Sequence, residues 1–150
     1  MQDGKAVQLL LNGEEHGHGH VVEKLLKRAE RLECLVAFAK ISAIGDLLKP
    51  LRKALEGGLK ARFAIGLDFY LTEPEALRQL FALAEKHALV LYLSNASDTF
   101  HPKIYAFQNG KQCSVIVGSA NLTHGGFYGN YEASALIDDA SGALMASVTR

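Results

Sequence analysis

The chain has no tryptophan, only two cysteines and three prolines in 150 residues, and no excess of either charge, with 16 Lys and Arg against 16 Asp and Glu. Each shortage excludes something. Cys34 and Cys113 form no CxxC pair and no zinc-ligand spacing, and both lie in apolar runs, LECLVAF and QCSVIVG. They read as buried free thiols of a protein kept in a reducing cytoplasm, which is the expected location. The low proline content and the absence of any repeat exclude collagen-like and low-complexity classes. No apolar run approaches the roughly 20 residues of a membrane span. The N-terminal stretch MQDGKAVQLLLNGEEHG is interrupted by polar residues too soon for a signal peptide. A neutral charge balance argues against a broad basic surface of the kind that grips nucleic acid. What is present is ordinary globular material, 49% hydrophobic and 21% charged, enough for a single domain over residues 1–150.

Strand-like and helix-like patterns alternate through the first 100 residues. KAVQLLL (5–11), ECLVAFA (33–39), KARFAIGL (60–67) and ALVLYLS (88–94) are short apolar runs that predict strands. Between them, VVEKLLKRAER (21–31) and the stretch from Ala43 to Leu55 place apolar residues at helical spacing, with Pro50 predicting a kink or break. Thr72 and Glu75 fit a capping box for a third helix, with Thr72 as the N-cap. This β-α order predicts an α/β fold with a mixed, largely parallel sheet flanked by helices on both faces. The last third differs. HPKIYAF (101–107) and KQCSVIV (111–117) flank Asn109-Gly110, the strongest short hairpin signal. YEASALI (131–137) predicts a further strand after the glycine-rich 118–130, and a helix is expected to start near Asp138 to Ser141.

If Asn109 and Gly110 form the turn, Gln108 pairs with Lys111 and His101 lies opposite Gly118. Residues i and i+2 of a strand share a face, so His101 and Lys103 point the same way. Beside them comes the turn Gly118-Ser119-Ala120-Asn121, whose backbone N–H groups and side chains suit an anion. Glu132, on the next strand, is placed to accept from the His101 ring and fix its tautomer. Asn130 reads as a turn residue with substrate contact as the alternative. The alternating His16-Gly-His18-Gly-His20 reads as a flexible loop, with phosphate or metal binding as lesser alternatives. Asp68, at a strand end, reads as a loop cap.

The combination HPKIYAF…VIVGSANLTHGGFYGNYEASA resembles the His-x-Lys…Gly-Ser-x-Asn signature of the phospholipase D superfamily, in particular its nuclease branch of small bacterial and restriction-type endonucleases. The resemblance implies a phospholipase D-like sandwich and metal-independent, cofactor-free phosphodiester hydrolysis. In that chemistry one histidine attacks phosphorus and a second protonates the leaving oxygen. Carried onto this sequence, His101 is the motif histidine and Lys103 the phosphate-binding lysine. Ser119 and Asn121 are the motif Ser and Asn, and Glu132 is the acid that orients the histidine. Gly118 and Asn130 are expected at the substrate. The sequence departs from the common pattern in having Gln108 where many members carry Asp, and in a longer interval, fifteen residues, from Lys103 to Gly118.

The chain holds one His-x-Lys and the chemistry needs two. The expected solution is a homodimer whose two His101 side chains meet at a two-fold axis. DNA is the expected substrate, without stable membrane association, and a separate recognition domain or subunit is the expected source of firm binding. Phospholipid hydrolysis or phosphatidyl transfer, and a non-catalytic nucleic-acid-binding module, are the alternatives.

Overall fold

The computed structural model describes residues 5–13, 16–95 and 97–150. Seven strands form one sheet: β1 (Lys5–Leu11), β2 (Arg31–Val36), β3 (Lys60–Gly66), β4 (Leu89–Ser94), β5 (Lys103–Asn109), β6 (Gln112–Gly118) and β7 (Ala133–Asp139). Their spatial order is β1-β7-β6-β5-β2-β3-β4. The mixed α/β class matches the sequence reading, but the balance of pairings does not. Only β2–β3 and β3–β4 are parallel, while β1–β7, β7–β6, β6–β5 and β5–β2 are antiparallel. The reason lies in the last third of the chain. The first four strands do run in one direction, but β5, β6 and β7 insert between β1 and β2, and a strand inserted by hairpins pairs antiparallel.

Helices cover both faces, unequally. The helices α1 (His18–Leu26), α2 (Ile41–Glu56) and α3 (Pro74–Ala84) pack on one face, where Leu26, Ile44, Leu51 and Leu80 meet Phe63, Ile65, Tyr105 and Ile116 in the main core. Among the described residues the other face carries only α4 (Ala143–Val148), whose Met145 closes a small cluster with Ala106, Cys113 and Val115. Glu33 is buried on that second face and is bridged by Arg62 Nε at 2.8 Å and Arg31 Nη2 at 3.2 Å. Both cysteines are free and buried, and burial raises each thiol above its ordinary range, Cys113 to about 11.

Several local expectations are corrected. Of the kink or break expected at Pro50, the break is absent, since α2 continues through it. Thr72 does not cap α3: Glu73 is the N-cap, while the Thr72 hydroxyl donates to the Gly66 carbonyl at 2.7 Å and accepts from Ala39 N–H at 3.3 Å. It fastens two strand ends instead. The histidine loop is largely helix, since His18 and His20 lie in the first turn of α1. Glu14 and Glu15 lie outside the described residues.

The β5–β6 hairpin is shifted by one residue on each strand. Asn109 pairs with Gln112, so the turn residues are Gly110 and Lys111. Gly110 takes φ 58°, whereas Asn109 and Lys111 are not left-handed. That is the pattern of a two-residue turn with glycine at its first central position, which spares Asn109 the strained conformation. Extending this register places Lys103, not His101, opposite Gly118. Because β1, β2, β3 and β6 run one way and β5 and β7 the other, the ends Leu11, Val36, Gly66 and Gly118 and the starts Lys103 and Ala133 all gather at one end of the sheet.

Candidate active site

At that end, His101 and Lys103 face each other. Lys103 Nζ lies 2.8 Å from His101 Nδ1, 3.3 Å from Nε2 and 3.4 Å from the His101 carbonyl. An ammonium only donates, so the imidazole nitrogen that faces it is the acceptor. Burial lowers the Lys103 pKa, and the negative charge of Glu132 partly offsets that. The histidine is exposed and the lysine half-buried.

The backbone that presents this pair is fixed from below and from the side. Tyr105, two residues along the same face of β5, is fully buried and donates its hydroxyl to the Ala120 carbonyl at 3.0 Å, tying the strand to the Gly-Ser-Ala-Asn turn. Asp68 Oδ2 accepts from Phe100 N–H at 3.0 Å, immediately before His101. The loop-capping role expected of Asp68 is what this bond performs.

Ser119 and Glu132 are hydrogen-bonded to each other, the hydroxyl donating to Oε2. Ser119 Oγ also accepts from Ala133 N–H at 3.1 Å, and Asn130 Nδ2 donates to Glu132 Oε1 at 3.3 Å. The expected bond from the His101 ring to Glu132 is therefore replaced. Glu132 spends its two oxygens on Ser119 and Asn130, and the imidazole turns to Lys103. Asn121 is buried and its Oδ1 accepts from Phe38 N–H at 3.2 Å, so it anchors the turn to the end of β2. The geometry thus brings together His101 with Lys103, and Ser119 with Glu132 and Asn130, while Asn121 faces inward.

Gly118 has a packing reason. A Cβ there would lie 2.4 Å from the Ala133 carbonyl oxygen and 2.5 Å from Ser134 Cα, both backbone atoms. We expect Gly118→Ala to destabilise the fold by about 1–3 kcal/mol, the usual cost of overpacking, and to push β6 off β7 next to Ser119. Chemical denaturation measures it; an unchanged midpoint would show that the strand ends yield freely.

Two residues here carry no sequence signal. Asn12 accepts from His18 N–H at 3.1 Å and donates to the carbonyls of Gly126 at 2.8 Å and Asn130 at 3.2 Å, holding the start of α1 against the glycine-rich turn. His124 Nδ1 lies 2.7 Å from Asp46 Oδ2, with its backbone N–H on Ser42 Oγ at 3.2 Å. Both depend on partners distant in sequence. An open groove of about 730 Å³ adjoins the site, lined by Leu9, Leu11, His16, Tyr131, Ser119 and Glu132 among others. Among the described residues there is no cluster of three or more metal-ligating side chains.

The fold and this pair of motifs define a class, and comparison with known proteins agrees. The profile of the family described as cardiolipin synthase, PLD-like domain, matches residues 2–150. The chain belongs to that family and to the phospholipase D superfamily, whose chemistry is on phosphodiester bonds. No curated protein sequence matches it. Its fold is similar to that of Nuc from Salmonella typhimurium, described as a phospholipase D family member, with a TM-score of 0.72 and 18% identity over 95% of this chain and 88% of that one. It is also similar to NucT from Helicobacter pylori, with a TM-score of 0.68 and 17% identity over 95% and 91% of the two chains. Phosphatidylserine synthase from Haemophilus influenzae gives a TM-score of 0.76 and 17% identity over 99% of this chain but 38% of that one. No helix among the described residues is long and apolar enough to cross a membrane.

Proposed function

We propose that this protein is a metal-independent phosphodiesterase that cleaves nucleic acid, DNA first, through a covalent phosphohistidine at a site completed by a second copy of the chain. The observation that carries this is the juxtaposition of His101 with Lys103 at 2.8 Å beside the Ser119–Glu132 pair, in a chain with a single His-x-Lys. In the proposed cycle, neutral His101 of one copy attacks phosphorus, a P–N bond forms and the P–O bond to the leaving group breaks. The protonated His101 of the other copy gives its proton to the departing oxygen. Water then attacks the phosphohistidine, its proton passes to that second histidine, and the P–N bond breaks. Two imidazoles close together favour opposite protonation states, because each charge opposes the other. Two Lys103 ammonium groups offset the charge that builds on the phosphoryl oxygens.

The surface next to the groove supports the second copy. Val7, Leu9 and Leu11 alternate along β1 on the face that α4 leaves open, 70%, 65% and 53% exposed, and Val117 on β6 is exposed beside them. An apolar strip of this kind is an expected interaction site, and it runs into a groove that ends on Ser119 and Glu132. We expect a dimer in light scattering, and Leu9→Glu to yield monomers that lose activity. A monomer that cleaves at full rate would end the two-copy site. The phosphatidyl-transfer reading is favoured by the description of the matching family. An assay in EDTA that offers oligonucleotide and phosphatidylcholine vesicles in parallel separates the two, with cleavage of the oligonucleotide as the expected result.

A further inference from the structure

Just across His101 from the β1 groove, the segment between β3 and α3 holds a feature that neither the fold nor the reaction described above uses. Phe69 and Tyr70 are consecutive residues with positive φ, 60° and 56°, the only non-glycine residues among those described to adopt it. Aromatic residues rarely take this conformation, and strain of this kind is retained where it serves a site. Here it does not serve packing: the Phe69 side chain is 69% exposed and that of Tyr70 fully exposed. The loop is nevertheless tethered on both sides. Asp68 holds Phe100 N–H, Thr72 holds the Gly66 carbonyl, and Gly66 packs so tightly that a Cβ would lie 2.4 Å from the Ala37 carbonyl oxygen and 3.0 Å from that of Phe100. Phe69 is thus one residue from the Asp68 carboxylate that grips the residue before His101.

We propose that Phe69 and Tyr70 form a stacking platform for unpaired bases next to the phosphate held at His101 and Lys103. The proposal rests on the nucleic-acid reading above and deepens it by making an unpaired strand the substrate form. Exposed rings on a fixed backbone suit bases, since every base offers a π face and stacking needs no sequence. The charge pattern favours a strand over a bilayer. The stretch GLDFYLTE (66–73) carries Asp68 and Glu73 and no base, whereas aromatic residues that enter anionic membranes are flanked by Lys or Arg. On such a strand the charge sits on the phosphate, which goes to Lys103, and the bases that meet the rings are uncharged.

The test uses the full chain carrying His101→Ala, so that binding is read without cleavage. A labelled oligothymidylate is compared with an oligomer of the same length made of abasic sugar-phosphate. The expected result is that the base-containing strand binds more tightly, by about 5- to 150-fold per stacked base. Phe69→Gly and Tyr70→Gly should remove that preference while leaving Tm equal or higher, since glycine adopts positive φ without strain. Tyr70→Phe should keep it. Equal affinity for the two oligomers, or a preference that survives both glycine variants, overturns the proposal. So does loss of phosphatidylglycerol-vesicle binding, or of dimerisation, in the glycine variants with the base preference intact. If the base preference is present but the protein with His101 cleaves no nucleic acid, the catalytic reading fails and the platform stands.

Discussion

We expect His101→Ala to remove phosphodiester cleavage, by about 10⁴-fold or more, because in the proposed two-copy site the same substitution deletes both the nucleophile and the general acid. The loss should fall on kcat rather than on strand affinity, which Lys103 and the turn still supply. Lys103→Ala should act differently. It leaves the nucleophile in place but removes the cation beside the ring, 2.8 Å away, so the expected loss is smaller, about 10²- to 10³-fold, as for other single groups that stabilise transition-state charge. Single-turnover cleavage of a labelled oligonucleotide in EDTA checks both. Full activity in His101→Ala would remove the residue from the chemistry.

Acidification destabilises the fold through one buried residue. His18 is 2% exposed, packed edge-on against Tyr105 with ring centroids 4.7 Å apart and against Phe127 at 5.0 Å. Its Nδ1 reaches Ser134 Oγ at 3.5 Å, and Nε2 has no hydrogen-bond partner among the described residues. Burial lowers its pKa from 6.5 to about 4. The unfolded chain therefore binds a proton here before the folded one does. The neutral ring's contribution is present above pH 6.5 and is lost as pH falls toward 4, a change of about 3 kcal/mol across the window. We expect His18→Phe to flatten the difference in stability between pH 7 and pH 4.5 relative to the parent protein, as read by denaturant titration at each pH. An identical pH dependence in the two proteins would show that His18 is solvated. Tyr105, against which His18 packs, ties β5 to the turn at Ala120.

The candidate site residues are more legible in the sequence than the scaffold around them. His101 lies just before β5, which begins at Lys103, and the pair meets because Lys103 Nζ reaches back to the His101 ring at 2.8 Å. Asn-Gly satisfies two turn types one residue apart, and only the backbone decides which residue goes left-handed. The excess of antiparallel pairing was hidden because β1 and β2, separated in sequence by one helix, are separated in space by three strands. Thr72 had the right neighbours for a cap, but its hydroxyl was needed by the Gly66 carbonyl. Glu132, expected on a strand beside the His101 ring, lies just before β7 and bonds Ser119 and Asn130 instead. Nothing in the letters of Phe69 and Tyr70 announces positive φ. Those angles come from the tethers at Asp68 and Thr72, which are tertiary.

The neutral charge also takes a more definite meaning. With Lys103 as the cation at the site, affinity for a strand should be modest and salt-sensitive, and the apolar rings of Phe69 and Tyr70 supply grip that charge does not.

The most direct measurement is a trapping experiment. The protein is mixed with excess oligonucleotide in EDTA, quenched within one turnover in alkaline denaturant, digested, and examined by mass spectrometry. The expected result is a nucleotide phosphoryl adduct on the peptide that carries His101, present in the parent protein and absent from His101→Ala. Rapid cleavage with no adduct at any time point, or an adduct on another histidine such as His16 or His124, would contradict the mechanism.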